Sequence, residues 1–334
     1  MQTFLPYRDF VRSSAVLDTP RLGKQRVETL QILRALELSE YGWSNHPVVR
    51  MWRGFTPAVV AYGLANVAEW RRRGYADSTE ALIAEFAPER ETQGQLAERG
   101  ALPPWLGDGR LHLSHRSALV RKDPDTYRPV FGDVDDTVEY WWPGGVDASP
   151  RPVEGIPLWV VRAEHAAAHE VMLARAHVGL GAASGIDVDA SAAAAAALAA
   201  RPEPAEGEDP LPPSDLKALL AQCAPGRRPG KDLRQLRALL DEVSPGDLVG
   251  LLGPDERTLT VGTVTGDYRF AAPPEDDDGP AHLPHHHREV RWAGTLPRAA
   301  VRPPASLQDP RRLFAVVVDP HALPPLLVGA AEVS

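Results

Sequence analysis

Apolar residues between positions 19 and 39 recur every three to four residues, which is the period of a helix buried along one face. Thr19 is suited to cap the start of this helix, with Pro20 at its first position, and Gly42 follows its end. The predicted apolar stripe consists of Leu22, Val27, Leu30, Leu33, Leu36 and Leu38.

A second helix is predicted from Thr56-Pro57 to the basic run Arg71-Arg72-Arg73, because cations favour a helix C-terminus and Gly74 can cap it. Shorter helices are predicted at 78–86 and at about 112–122. No alternating strand pattern occurs before Pro150, so the first part of the chain is predicted to be all-α.

The pattern changes after a Pro- and Gly-rich segment at 144–156, which we interpret as a linker. Short β-branched and aromatic runs then predict strands, with helices at 214–223 and 231–243 among them. The predicted strands are 158–161, 177–180, 247–252, 258–264, 289–292 and 313–318. Together they predict a small, mostly antiparallel β-barrel with helices on its edge.

A length of 334 residues is about twice that of a common domain, which also favours two domains. We place an all-α domain at 1–143 and an α+β domain at 157–330. Residues 190–212, first Ala-rich and then rich in Pro, Glu and Asp, are predicted to be a mobile insertion in the second domain.

The formal charge of −9 argues against non-specific binding to nucleic acid, but basic residues are concentrated locally. Residues 1–75 contain eleven Lys or Arg against six Asp or Glu, and residues 110–128 contain five against two. A local basic surface is sufficient for contacts to phosphates. The single cysteine, Cys223, excludes an internal disulfide and an all-Cys metal site, and we expect it to be buried. Without an apolar leader or an apolar run of spanning length, the expected location is the cytoplasm, near the nucleoid.

Arg21, Lys24, Glu28 and Gln31 recur at spacings of three and four, so the first helix is predicted to carry them on one polar face. Two interpretations are open. The face can be an ordinary solvated one with a Lys24–Glu28 pair, or it can carry chemistry.

The residues around this face resemble a known enzyme family. Leu17 to Glu28, LDTPRLGKQRVE, is similar without a gap to the segment that bears the catalytic glutamate of phage-type pyrimidine-dimer DNA glycosylases. Trp43-Ser44-Asn45-His46-Pro47 with the following helix, and the stretch from Leu102 through Leu113-Ser114-His115-Arg116 to Tyr127, resemble later parts of that family in the same order. The start MQTFLPY and the RLGKQRVE, NHP and LSH motifs resemble a bacterial branch of it. The resemblance covers about residues 1–143.

The resemblance implies an all-helical enzyme that acts on double-stranded DNA carrying a damaged or modified base, extruding one nucleotide. Glu28 is the position of the family's catalytic carboxylate, which stabilises charge at C1′ or activates a nucleophile. His46 and His115 are candidate proton carriers or DNA contacts, and a structural role for each is equally open. The remaining residues expected to contact DNA are Arg21, Arg26, Arg50, Arg53, Arg116, Arg121 and Lys122. No cofactor is implied.

The sequence departs from the family at the nucleophile. In the dimer-specific enzymes the nucleophile is the α-amine of a threonine exposed by removal of the initiator methionine, whereas residue 2 here is Gln. The candidate nucleophiles are therefore the α-amine of Met1, the side chain of Lys24, or water. The departure puts the coupled lyase step in doubt and weakens the case for a cyclobutane dimer as substrate.

The second domain resembles EVE/PUA-like barrels that read modified bases. The resemblance rests on Pro157–Arg162, His177–Gly181, Val261–Phe270 and His287–Trp292 in this order. It implies a pocket for a flipped base with Trp159, Tyr268 and Trp292 as walls, although a core role for both tryptophans is as plausible. Arg269, Arg288 and Arg291 are candidate phosphate contacts.

A histidine-rich segment, His282 and His285 to His287, suggests a metal site, but a solvated loop is the preferred interpretation because helical spacing is absent. We therefore predict no metal.

The sequence thus predicts a DNA glycosylase targeted by a modified-base reader, in repair or in defence against phages with modified DNA. The alternatives are a non-catalytic protein that binds modified DNA and one that binds RNA.

Overall fold

The computed structural model describes residues 1–38, 41–144, 153–181, 230–271 and 284–327. The chain forms two compact units, residues 1–152 with 303–309 and residues 153–302 with 310–334. The predicted insertion at 190–212, the predicted helix at 214–223, Cys223 and His282 lie outside the described residues. Among the described residues, no helix is long and apolar enough to cross a membrane.

The described residues of the first unit before the linker are helical, which confirms the predicted class of this unit. Its helices are α1 (Phe10–Ala15), α2 (Thr19–Glu37), α3 (Pro47–Trp52), α4 (Thr56–Arg72), α5 (Glu80–Ala84), α6 (Gln93–Glu98), α7 (Gly109–Lys122) and α8 (Pro124–Phe131). The Asp18 side chain, rather than the predicted Thr19, caps α2 by accepting a hydrogen bond from the Arg21 N–H.

Helices α2 and α4 pack closely in the core of this unit. Gly63 on α4 makes the approach possible, because a Cβ there would lie 2.7 Å from Cγ2 of Thr29 on α2. One prediction for α2 was wrong: Val27 is exposed, whereas Gln25 and Glu28 are buried. The buried face of α2 is therefore partly polar, which is where its candidate chemistry lies.

The second unit is a curled mixed sheet, a half-barrel, with helices packed on it. Its elements are β1 (Ile156–Arg162), α9 (Ala166–Ala174), β2 (His177–Leu180), α10 (Gly230–Arg237) with a π-helical continuation (Ala238–Glu242), β3 (Leu248–Leu252), β4 (Thr258–Val264), β5 (Arg269–Phe270), β6 (His286–Pro297) and β7 (Leu313–Val318). Short 3₁₀ turns are Arg298–Ala300 and Pro320–Ala322 in this unit, and Pro304–Gln308 in the first unit.

The strand order is β2-β6-β4-β3-β1-β7, with β5 also paired to β6. Strands β1 and β3 are parallel and the other pairs are antiparallel. The predicted combination of a helical part followed by an α+β part is confirmed. The sheet is open in the part of the chain that is described, with β2 and β7 at its edges.

Candidate active site

The N-terminal segment and helix α2 bring three predicted residues together. The α-nitrogen of Met1 lies 3.7 Å from Oε1 of Glu28, and Nζ of Lys24 lies 3.6 Å from the same oxygen. The Lys24 side chain is 72% exposed, whereas those of Met1 and Glu28 are 6% and 9% exposed. The carboxylate of Glu28 therefore faces two amines, the buried α-amine of Met1 and the solvent-exposed side-chain amine of Lys24.

Gln25 connects the N-terminal segment to the carboxylate. Its Nε2 donates to Oε2 of Glu28 over 3.1 Å and to the carbonyl of Gln2 over 3.0 Å. Its Oε1 accepts from the Phe4 N–H over 2.9 Å, and the Tyr62 hydroxyl lies 2.6 Å from the same oxygen. These four contacts fix the orientation of the amide and leave it no unused polar group.

Three further side chains hold the N-terminal segment. Nδ1 of His115 accepts from the Leu5 N–H over 2.8 Å, and Nε of Arg116 donates to the Pro6 carbonyl over 2.8 Å. Nε1 of Trp52 donates to Oγ1 of Thr3 over 3.1 Å. Together with Gln25 they fix the main chain up to the amine, so the amine of Met1 is positioned before any substrate binds.

His115 is completely buried, so the structure does not support its predicted contact with DNA. Burial lowers the pKa of this imidazole to about 3, and the neighbouring His112 adds to the effect. A neutral ring that accepts at Nδ1 carries its proton on Nε2. His115 is a structural residue that positions the N-terminal segment.

His46 lies at the start of α3, where its Nδ1 accepts from the Val48 N–H over 3.2 Å. Its pKa is lowered, first by burial and then by the positive charge of the N-terminal amine, while the charge of Glu28 opposes the shift. The ring is therefore neutral at pH 7 with its proton on Nε2. That N–H can donate to a substrate oxygen near Met1 and Glu28.

Aromatic side chains that the sequence analysis missed surround His46. We call Trp43, Tyr140 and Trp142 the aromatic rim. The ring of His46 is edge-on to Trp43 at 5.9 Å and to Trp142 at 6.4 Å, and Tyr140 lies 5.4 Å from Trp142. Burial raises the pKa of Tyr140, and the charge of Glu28 contributes to the shift. The dense aromatic run at 140–142 was the available signal.

Two arginines predicted to contact phosphates are engaged inside the protein. Arg26 pairs with the carboxylate of Asp77, stacks 4.1 Å above the ring of Trp70 and is only 12% exposed. Arg21 pairs with Asp18 and lies 3.4 Å from the carboxylate of Asp123. The structure gives Arg26 a packing role, and Arg21 has its charge largely balanced.

Other predicted cations remain at the surface. Arg50, Arg121 and Lys122 are exposed, and Arg53 is half-buried. Within the described ranges, no carboxylate pairs with these four side chains. Their charge is therefore available to a polyanion.

A second basic group lies around Tyr7, and we call Arg8, Arg12 and Arg116 with this ring the Tyr7 cluster. The guanidinium of Arg12 lies 3.9 Å from the ring centroid and that of Arg116 lies 5.0 Å from it. None of the three arginines pairs with a carboxylate of the described chain. Only Arg116 was predicted. The signal for the others was the occurrence of Arg8 and Arg12 within five residues of a tyrosine.

The three aromatic residues predicted to form a pocket in the second unit all pack, partly buried, against one hydrophobic cluster. Trp159 on β1 pairs with Val249 on β3, Val249 with Gly262 on β4, and Gly262 with Trp292 on β6. Both tryptophans thus belong to one row across the curled sheet, and the buried side chain of Val249 and the bare Cα of Gly262 separate them. Tyr268 contributes its hydroxyl to a 2.7 Å hydrogen bond with Nδ1 of His286.

Two predictions for this unit were wrong. His286 and His287 lie buried in strand β6 rather than in a solvated loop. Arg288 is buried and donates to the carbonyls of Leu239 and Leu240 over 2.8 and 2.9 Å, so it is not a phosphate contact. No group of metal-binding side chains occurs among the described residues.

Comparison with known families gives two partial matches. Residues 1–82 match the family described as pyrimidine dimer DNA glycosylase, and this region contains Met1, Lys24, Glu28 and His46. Residues 213–306 match a domain of unknown function (DUF8426), which gives no support to an EVE/PUA-like identity. No curated protein matches the chain, and no solved structure does. The N-terminal region is therefore similar to a family of DNA-repair glycosylases.

Proposed function

We propose that this protein is a DNA glycosylase that excises a damaged or modified pyrimidine, with Glu28 as the catalytic carboxylate and the α-amine of Met1 as the nucleophile. The observation that carries the proposal is the distance of 3.7 Å between this amine and a buried carboxylate. The family match over the same residues supports it. Water and Lys24 are the alternative nucleophiles.

The proposed reaction starts from a neutral α-amine and an extruded nucleotide. The nitrogen lone pair forms a bond to C1′ while the bond from C1′ to the base breaks, and the base leaves with the electron pair and takes a proton from water. The new ammonium transfers a proton to Glu28. Glu28 then returns this proton to O4′ as the sugar ring opens, which leaves a protonated imine on C1′.

Two fates of this imine are chemically possible. Hydrolysis releases an abasic site, whereas loss of a proton from C2′ cleaves the strand by β-elimination. The second fate is the lyase step that the sequence leaves uncertain.

Met1 is favoured over Lys24 because its amine is held by the main chain. A positioned amine requires little further ordering to attack C1′, whereas the exposed Lys24 side chain loses its rotational freedom when it is fixed. The N–H of His46 is suited to donate to an oxygen of the flipped nucleotide. The exposed cations described above are proposed to contact the phosphates of the duplex.

Borohydride trapping tests the proposed imine. We expect parent protein to form a reduced adduct on DNA from which it releases a base, and peptide mapping to place the adduct on Met1. An adduct on Lys24 would move the nucleophile to that residue. Base release without any adduct would leave water as the nucleophile.

The variant Glu28→Gln separates catalysis from binding. A catalytic carboxylate predicts loss of base release with DNA affinity retained, because Gln keeps the size of the side chain and removes its charge. If the parent and Glu28→Gln both bind DNA and neither releases a base from any substrate, the non-catalytic alternative is favoured. Stronger binding of RNA than of DNA in competition would favour the RNA-directed one.

We further propose that the second unit reads a modified base on the face of the sheet that carries Trp159 and Trp292. The support is the shared row of the two residues and the indole N–H of Trp292, which is buried without a hydrogen-bond partner in the described part of the chain. The variants Trp159→Ala and Trp292→Ala are expected to lower affinity for modified DNA to the level for unmodified DNA. Unchanged discrimination in both would reject the reader.

The substrate class decides the biological role. Mass spectrometry of the bases released from irradiated, methylated and phage DNA distinguishes the candidate substrate classes. Release from irradiated DNA would place the enzyme in repair of damage. Release only from DNA with phage-type modified bases would place it in defence.

A further inference from the structure

Trp43 is the most exposed large aromatic side chain among the described residues, with 65% of its surface accessible. It lies in the turn between α2 and α3, after Gly42 and before His46. Exposing an indole forgoes the stabilisation that burial would provide. A single exposed tryptophan does not by itself mark a binding surface, so its backbone conformation and its neighbours decide its role.

The backbone of Trp43 carries a second cost, because its φ angle is +78°. A bulky residue is disfavoured in this left-handed region, which glycine occupies without steric penalty. Gly42 is the adjacent residue, so the turn places its tryptophan, not its glycine, in the disfavoured conformation. Conformations of this kind persist where the surrounding structure imposes them and are concentrated at functional sites.

The location of Trp43 indicates what it contacts. Its ring is edge-on to His46 at 5.9 Å, and His46 in turn is close enough to sense the charges of the Met1 amine and Glu28. The same turn is held by Arg53, whose Nη2 lies 3.4 Å from the carbonyl of Ser44. Arg50 is exposed on the next helix.

An exposed aromatic ring in a turn followed by Arg50 and Arg53 is suited to a nucleobase and its phosphates. Base–aromatic stacking tolerates any base, because every base has a π-face. We infer that Trp43 stacks on an unstacked nucleobase of the DNA substrate and holds it beside Met1 and Glu28. This inference rests on the proposed glycosylase function. It makes Trp43 a residue that positions and selects the substrate rather than one that transfers protons.

Three variants of Trp43 test the inference in the full-length protein. Single-turnover excision is measured with enzyme in excess on a duplex that contains the base identified by mass spectrometry as the one that the parent protein excises. A 2-aminopurine next to this base reports unstacking. We expect Trp43→Ala to lower the excision rate roughly 10- to 100-fold, in the range of stacking losses measured by alanine substitution, and to reduce the 2-aminopurine signal. Trp43→Phe should keep most of the excision rate and of the 2-aminopurine signal because it retains a π-face.

Trp43→Gly separates function from stability. Glycine adopts positive φ freely, which offsets the entropy that it adds to the unfolded chain, so this variant should unfold close to the temperature of the parent yet excise as slowly as Trp43→Ala. Tyr75→Ala is the matched control, since Tyr75 is an exposed aromatic residue of the same unit, and its excision rate should stay within about twofold of the parent.

The outcomes are distinguishable. Excision by Trp43→Ala within twofold of the parent, or a loss that Trp43→Phe does not reverse, would overturn the inference and leave the glycosylase intact. If the parent releases no base while it binds DNA, the proposed function fails and the inference fails with it.

Discussion

Nε2 of Gln25 donates to Oε2 of Glu28 over 3.1 Å, and the same nitrogen donates to the carbonyl of Gln2. One buried amide therefore ties the candidate carboxylate to the segment that carries the candidate nucleophile. Because Gln25 is on the same helix as Glu28, this helix contributes to the position of both candidate reacting groups. Gln25 is a positioning residue in this arrangement.

Substitution of Gln25 should lower both the stability of the protein and its rate of excision. Gln25→Ala leaves the buried Phe4 N–H without an acceptor, which costs about 1–3 kcal/mol of unfolding free energy. It also removes the contact to the Gln2 carbonyl that helps to hold the amine, and misplacement by about 1 Å can lower a rate about 100-fold. The measurement is single-turnover base release beside thermal unfolding.

Asn66→Ala is the matched control for Gln25→Ala, because Asn66 is an equally buried amide that bonds Ser14 and the Tyr62 carbonyl. It should lose similar stability but keep its excision rate. Gln25→Glu adds a readout, since a second carboxyl beside Glu28 should move the acid limb of the pH–rate profile to higher pH. Equal losses of activity in Gln25→Ala and Asn66→Ala would contradict a positioning role.

The Tyr7 cluster should contribute to the salt dependence of DNA binding. Each phosphate contact adds about 0.9 to the slope of log affinity against log salt for duplex DNA. Arg12→Gln should therefore reduce the magnitude of the slope by about 0.9. Arg99→Gln is the control, because Arg99 already pairs with Glu91 at 2.6 Å. An unchanged slope in Arg12→Gln would remove the cluster from the DNA interface.

Burial of His115 predicts that acid destabilises the protein. Its pKa in the folded protein is lowered to about 3, whereas an unfolded chain titrates near the ordinary histidine value of about 6.5. Between these values the unfolded state binds the extra proton. The stability that the neutral, buried His115 contributes is therefore complete above about pH 6.5. It is lost as the pH falls towards the folded-state pKa, by about 1.4 kcal/mol of unfolding free energy per pH unit.

The variant His115→Asn tests this prediction, because its Oδ1 can replace Nδ1 as acceptor for the Leu5 N–H and does not titrate. Urea unfolding at pH 7 and pH 5 should show a smaller loss of stability in the variant than in the parent. Equal losses would show that His115 is protonated in the folded state or that other groups dominate.

The sequence predicted the helical class of the first unit from local patterns. Apolar periodicity and helix-start signals depend on near neighbours, so α2, α4 and α7 were predicted with their ends shifted by a few residues. The same periodicity failed for Val27, which the pattern counted as buried. Two buried polar side chains, Gln25 and Glu28, take the interior positions because they bind the N-terminal segment.

Long-range contacts could not be predicted. His115 is 110 residues from Leu5 in the chain, and nothing in either neighbourhood indicates that its ring accepts from that main-chain N–H. Arg26 was predicted as a DNA contact because it is basic, but Asp77 and Trp70 neutralise and cover it. Residues 303–309 belong to the helical unit although they follow the strands of the second unit in the chain, and their sequence does not indicate this.

The sequence was sufficient to place Lys24 and Glu28 side by side on α2, because they are four positions apart and helix geometry puts them on adjacent turns. Contacts between residues distant in the chain bring the α-amine of Met1 to 3.7 Å from Glu28, and Trp43 is exposed beside His46 at positive φ. The physical reason is that helix spacing is set by local hydrogen bonds, whereas the path of an N-terminal segment is set by side chains distant in the chain.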